Sequence, residues 1–215
     1  MTDTVDGFET IYADAHLLVL NKPAGLLSVP GKGNDKQDCL SSRVQKSYAD
    51  ALIVHRLDMA TSGLMLMARG STMQTALSKL FEGRTIYKRY VAVVDGHMPA
   101  SPNWQLIDLP IALDWPNRPL RIIQADGKPS LTHWRALHHD ATCNTTRVEL
   151  EPMTGRSHQL RVHLKALGHP ILGDALYATA DVKAMATRLL LHACALRFLH
   201  PASDKAMLFD KAPVF

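Results

Sequence analysis

The chain has 215 residues, 47% of them hydrophobic and 20% charged, a composition that supports a packed core and excludes a disordered protein. Its 24 Lys and Arg against 20 Asp and Glu leave a net charge of +4, which permits a polyanionic partner but excludes an acidic tail, a polybasic arm or a histone-like coat. At roughly 100–200 residues per domain, the length fits one domain.

The first ten residues, MTDTVDGFET, carry acids and no apolar centre, so they read as a loose leader rather than a signal or transit peptide. No apolar run approaches the ~20 residues that span a bilayer. Cys39, Cys143 and Cys194 lie far apart with no C-x-x-C pair, which suggests neither a disulfide framework nor a thiolate zinc site. Free thiols in a reducing cytoplasm are expected.

In chain order, residues 16–20 read as a buried strand stopped by Asn21-Lys22-Pro23 and a turn at Gly25. Residues 30–38 read as an exposed loop, and 64–68 as another buried run entered through Gly63. Ser71 fits the N-cap of a helix carrying Leu77, Leu80 and Phe81 on one face and ending at Gly83. Residues 86–94 are rich in β-formers. Five prolines between 99 and 120 predict an irregular connection with short strands. Strands are expected at 131–137 and 146–150. A helix is expected from a Ser157 cap to about Leu167, stopped by Gly168 and Pro170. Residues 189–198 read as a late strand. Many strands and few helices, without strict alternation, indicate an α+β fold with an extended mixed sheet.

Three segments carry chemistry. In His55-Arg56-Leu57-Asp58-Met59-Ala60-Thr61-Ser62-Gly63, a cation and a carboxylate sit two apart in a loop of small and hydroxyl residues. Burial of that carboxylate would oppose its ionisation unless a cation compensates. The competing reading is a salt-bridged surface loop. In Gly155-Arg156-Ser157-His158-Gln159-Leu160-Arg161-Val162-His163-Leu164-Lys165, a helix would align His158, Arg161 and Lys165 on one face. No acid occurs between residues 152 and 173. Such a face suits a phosphate or carboxylate, and a solvated basic helix is the alternative. His158 and His163 are five apart, which does not fit a metal pair on one helical face. In Arg84-Thr85-Ile86-Tyr87-Lys88-Arg89-Tyr90-Val91-Ala92, alternation places Lys88 and Tyr90 on one side of a strand, and Tyr87 and Arg89 on the other. Tyr beside a cation can stack a nucleobase while the cation takes phosphate. An ordinary amphipathic strand would look the same.

No dinucleotide fingerprint, phosphate loop or nucleophile elbow is present. One carboxylate, several arginines and a tyrosine suggest cofactor-free chemistry on an anionic, aromatic substrate, a description that RNA fits. The residues by themselves do not name the reaction.

These segments resemble the RluA family of pseudouridine synthases. His-Arg-Leu-Asp-x-x-Thr-Ser-Gly at 55–63 is similar to the family's catalytic-aspartate motif, and Asn21-Lys22-Pro23-Ala24-Gly25-Leu26 to its N-terminal motif. Lys88-Arg89-Tyr90-Val91-Ala92 resembles the tyrosine strand, and residues 155–163 the arginine motif. Leu190-Leu191-His192-Ala193 with His200-Pro201 resembles the late strand. The matches run in family order over residues 11–213. The resemblance implies one pseudouridine synthase domain over 11–215 after a leader at 1–10, with flanking helices, a central cleft and no S4 domain. It implies Asp58, Tyr90 and Arg161 as the catalytic set: Asp58 acts on the ribose, Tyr90 stacks on the target base and Arg161 pairs with Asp58. Arg56 helps extrude the target nucleotide or fills its place. The expected RNA-binding set is His55, Arg56, Thr61, Lys88, Arg156, His158, Lys165 and Leu191. No metal or other cofactor is implied.

Asp114-Trp115-Pro116-Asn117-Arg118-Pro119 and Gly168-His169-Pro170-Ile171-Leu172-Gly173-Asp174 are most similar to the RluA branch of the family. That implies action on both a tRNA anticodon stem-loop and a 23S rRNA hairpin, by a cytoplasmic monomer with neither DNA nor membrane as partner. A synthase for one RNA class and a non-catalytic RNA binder on the same fold are the alternatives. A metal-dependent nuclease would need several carboxylates where these three segments offer one. Arg56, Lys88, Arg89, Arg156, Arg161 and Lys165 supply the cations, some of which are expected to converge on a cleft floored by Asp58.

Overall fold

A computed structural model describes residues 7–215. In these residues the elements, in chain order, are β1 (Glu9–Ala13), β2 (Leu17–Lys22), α1 (Leu40–Gln45), β3 (Ala51–Ile53), β4 (Ser62–Arg69) and α2 (Ser71–Glu82). They continue with β5 (Tyr87–Asp95), β6 (Gln105–Asp108), β7 (Ile111–Leu113), β8 (Arg121–Ile123), β9 (Leu131–Asp140) and β10 (Thr145–Pro152). Last come α3 (Gln159–Ala166), α4 (Ala180–Ala184), β11 (Leu191–Leu199) and β12 (Ala206–Asp210). Most of the expected leader lies outside the described residues, but Phe8 is buried and β1 already begins at Glu9.

The described residues pack as two compact units. The first runs to Lys88 and takes back His192–Val214. Its strands are ordered β1-β2-β4-β11, with β3 also pairing β4 and β12 also pairing β11. All these pairs are antiparallel except β4 with β11. β4 is buried over its first seven residues, as a strand covered on both faces is, and this explains its unbroken apolar run. Leu64 and Leu66 pack with Leu17 and Val19 of β2, Met73 and Leu77 of α2, and Leu196 and Phe198 of β11. β4 and β11 meet at Gly63 and Ala193. Gly63 has φ 114°, and a Cβ there would lie 2.3 Å from the Ala193 carbonyl oxygen. Only glycine permits that approach.

The second unit is Arg89–Leu191 with Phe215. Its strands run β5-β10-β9-β6, all antiparallel, and β7 and β8 form a separate hairpin. The expected fold class, α+β with a mixed, mostly antiparallel sheet and few helices, is the one found. Two helix starts differ from expectation. Gly70, not Ser71, is the N-cap of α2, at φ 77° and without a side-chain cap. His158, not Ser157, precedes α3, in the left-handed region at φ 58°. The turn before α3 is held instead by Gln159, whose Oε1 accepts from the Arg156 N–H (3.0 Å) and the Thr154 hydroxyl (2.8 Å). α3 ends as expected: Gly168 at φ 85° donates to the Lys165 carbonyl and His169 to that of Leu164, the paired bonds of a glycine C-terminal motif. No helix of the described residues is long and apolar enough to cross a membrane.

Candidate active site

In the first unit, the 55–63 loop is held from the chain that follows β2. Ser28 Oγ donates to the Leu57 carbonyl (2.7 Å) and accepts from the Leu57 N–H (3.1 Å). The Met59 carbonyl accepts from the Gly25 N–H (2.8 Å) and from Lys22 Nζ (3.1 Å). Thr61 N–H closes the turn on the Asp58 carbonyl (3.1 Å). Both neighbours of Asp58 are therefore pinned, and its half-buried side chain springs from a fixed backbone.

Lys22 is 0% exposed. Its ammonium also donates to the carbonyls of Pro23 (2.8 Å) and Leu26 (2.7 Å). A buried cation survives only with its donors satisfied, and here three carbonyls draw the 23–26 turn and the Asp58 loop together. Asn21-Lys22-Pro23-Ala24-Gly25-Leu26 thus supports the loop.

The other residues of the loop divide. Arg56 is exposed. Thr61 is 3% exposed, and its N–H closes the turn on Asp58. His55 stacks on Phe81 (centroids 4.4 Å apart), and its Nε2 accepts from the Leu66 N–H of β4 at 2.8 Å. Burial, with Lys88 nearby, pulls the His55 pKa down to about 3. A ring whose acceptor is tied to the sheet and which stays neutral braces the loop against β4. Lys88 is half-buried, and burial, reinforced by Arg84, lowers its pKa.

The His55 placement has a consequence for stability. The native pKa lies below the unfolded value of about 6.5. As pH falls beneath 6.5, the unfolded chain takes up a proton that the native chain refuses, so stability declines by at most about 1.4 kcal/mol per pH unit. Asp14, held at about pKa 2 by hydrogen bonds that outweigh its burial, does not titrate above pH 4.5. Urea midpoints from pH 6.5 to 4.5 should fall less steeply for His55→Gln than for the native chain. Parallel slopes would refute the assignment.

Also in this unit, Ser62 Oγ lies 2.9 Å from His192 Nδ1, and His192 Nε2 lies 3.0 Å from the Lys211 carbonyl. A carbonyl only accepts, so Nε2 carries the proton and Ser62 donates to Nδ1. This pins the loop's exit to β11.

In the second unit, Tyr90 is half-buried on β5, opposite Leu150 of β10. Leu191, of the expected RNA-binding set, is buried at the start of β11. Arg161 is also buried, and Asp174 holds it. Nε donates to Oδ2 at 2.7 Å and Nη2 to Oδ1 at 2.5 Å. Oδ1 further accepts from the N–H groups of Leu176 (2.9 Å) and Tyr177 (3.2 Å). Asp174 reaches this place because the 170–174 segment lies along β5: Asp95 N–H donates to the Pro170 carbonyl and Leu172 N–H to that of Val93. Gly173 then passes so close to Arg188 that a Cβ would overlap its carbonyl oxygen.

The His158, Arg161 and Lys165 face does form, and it converges on Tyr177. His158 Nδ1 is 2.6 Å from the Tyr177 hydroxyl. Arg161 and Lys165 place their cationic groups 5.0 and 5.7 Å from the ring centroid. Arg156 Nε donates to the Pro129 carbonyl at 3.3 Å. Arg89 does not join a positive surface: Glu149 (3.1 Å) and Glu151 (2.8 Å) neutralise it. Sequence reasoning missed Asp174 and Tyr177. The signal available was that Asp174 is the first acid after the acid-free stretch.

The first unit thus presents one carboxylate from a clamped backbone, and the second holds a buried Arg–Asp pair and a half-buried strand tyrosine. A family model described as RNA pseudouridylate synthase matches residues 16–166. The chain belongs to this family and is an RNA pseudouridine synthase, an isomerase acting on uridine within RNA. More particularly, it is 50% identical over 204 residues to the Dual-specificity RNA pseudouridine synthase RluA of Escherichia coli (strain K12), covering 94% of this chain and 91% of that protein. The protein of the same name from Vibrio parahaemolyticus is 50% identical over 200 residues, 91% of this chain and 79% of that one. The solved structure of Human RNA Pseudouridylate Synthase Domain Containing 1 matches with a TM-score of 0.80 at 28% identity, over 100% of this chain and 87% of that one.

Proposed function

We propose that this enzyme forms pseudouridine in two RNA classes, a tRNA anticodon stem-loop and a 23S rRNA hairpin, in the cytoplasm, with Asp58 as the catalytic group. The observation that carries the role of Asp58 is the double clamp on its neighbours Leu57 and Met59. Backbone rigidity of this kind suits a group that must meet a sugar carbon in one geometry. The shared name of the similar proteins supports the two RNA classes.

The target uridine leaves its stack to be reached, with Arg56 occupying the gap. Asp58 then acts on the ribose, as nucleophile at C1′ or as base at C2′. The N1–C1′ bond breaks, and the uracil turns against the Tyr90 ring without leaving. C5 bonds to C1′ as Asp58 leaves that carbon or returns the C2′ proton, the C5 proton is lost, and N1 gains one, so the product is an isomer of the substrate and the carboxylate is regenerated. Arg161 supports the charge of Asp58, and Asp174 fixes the orientation of Arg161. Arg156, His158 and Lys165 supply donors and charge to the RNA phosphates.

Mapping pseudouridine in total RNA from cells with and without the protein tests the two-class reading. Loss at one tRNA loop and one 23S rRNA site is expected. Loss in a single class would refute dual specificity and leave the isomerase standing.

A further inference from the structure

Trp115 is 64% exposed in the loop between β7 and β8. Arg118 sets its guanidinium carbon 4.2 Å from the ring centroid. The loop is built to hold them there. The Asp114 carboxylate accepts from the Asn117 N–H (3.3 Å) and side-chain amide (3.0 and 3.1 Å). Asp114 N–H donates to the Leu120 carbonyl, and Leu120 N–H to that of Asn117. The one acid of the loop is thus occupied by an amide, and Arg118 makes no ion pair among the described residues.

Trp104 in the same unit shows what a structural tryptophan with arginines looks like here. It is flanked by Arg89 and Arg135, which Glu149 and Glu151 neutralise. Trp115 and Arg118 have the same side chains without the acids and without the cover.

The loop also connects to the Arg161 cluster. The Arg121 N–H, at the start of β8, donates to the Tyr177 hydroxyl at 3.0 Å. Ile111, Leu120 and Ile123 pack with Val162 of α3 and Tyr177.

We propose that Trp115 and Arg118 form a second platform for the RNA substrate, on which an unpaired base other than the target uridine stacks. Arg118 caps one face of the indole and leaves the other for the base, while its charge and that of Arg121 meet the adjoining phosphates. A single-stranded RNA loop supplies both an unpaired π-face and phosphate, so it fits better than a protein partner. This rests on the RNA pseudouridine synthase reading and extends it to substrate choice.

The test uses the full chain and a synthetic RNA stem-loop carrying the target uridine, with 2-aminopurine placed in turn at each unpaired non-target position. Trp115→Ala should raise KM about tenfold, the loss of one base–aromatic stack, with kcat at saturating RNA within about threefold. Trp115→Phe should recover most of that loss. One 2-aminopurine position should be quenched on binding to the native chain and not to Trp115→Ala. Arg118→Ala should lower the slope of log affinity against log salt by about one. An unchanged KM for Trp115→Ala, or no Trp115-dependent quenching, would overturn the platform. An active native enzyme with those results would refute the platform alone, whereas an enzyme inert on RNA would strike the reading beneath it.

Discussion

Asp58→Asn is expected to abolish pseudouridine formation, lowering kcat by about 10³-fold or more, while the chain stays folded and binds RNA as well as before. Asparagine keeps the shape of aspartate and loses the charge, so the variant isolates what the carboxylate does. The clamp on its neighbours uses backbone and other side chains: Ser28 to Leu57, and Gly25 and Lys22 to Met59. None of these bonds needs the Asp58 carboxylate, so unfolding should shift by no more than about 1 kcal/mol. Removing a negative group from a site that receives phosphates leaves binding unharmed or tighter. Single-turnover assays and RNA titrations on the same preparation separate the two effects. Retained turnover would remove Asp58 from the mechanism. Lost turnover with lost folding would show that the clamp depends on the carboxylate, against the hydrogen bonds described.

Asp174→Asn is expected to destabilise the protein by about 3–5 kcal/mol, the cost of breaking a buried, doubly hydrogen-bonded ion pair. In a chain of 215 residues that corresponds to a fall of roughly 6–20 °C in Tm. The substituted side chain can still accept from the N–H groups of Leu176 and Tyr177, so the effect reads the charge. Asp174→Leu combined with Arg161→Met separates structure from function, because replacing both partners by apolar groups of similar size restores much of the stability. If Arg161 serves the reaction, this double variant should melt near the native temperature and remain inactive. A stable and active double variant would show that the pair is only part of the core. Calorimetry and a pseudouridine assay decide between these outcomes.

Much of the fold was legible because the buried strands carry their own signal. The runs at 16–20, 64–68 and 86–94 correspond to β2, β4 and β5, and the Pro-rich stretch holds the short β6 and β7. Elements that escaped depend on their neighbours. β12, Ala-Met-Leu-Phe-Asp, is a five-residue run without apolar–polar alternation and becomes a strand by pairing with β11. α1 is six residues long, too short to be stable alone, and its cap is a cysteine whose thiol accepts from the Ser42 N–H. The helix starts were misplaced for a related reason: Gly70 and His158 both adopt positive φ, a choice made by the surrounding turn.

The three reactive segments stand out in one dimension because their residue types are unusual together, and the motif at 55–63 is dense enough to indicate chemistry by itself. The sequence by itself therefore determined the strand framework, the identity of the chemical groups and the family they resemble. The net charge of +4 said nothing of which cations are available to a partner. That follows from the tertiary structure, which pairs Arg161 with Asp174 and Arg89 with Glu149 and Glu151, buries Thr61 and Leu191, and gives Arg118 no carboxylate among the described residues. The reason is physical: charge pairing falls off within a few ångströms, and the 60 and 62 residues separating Arg89 from its two partners are closed by sheet register.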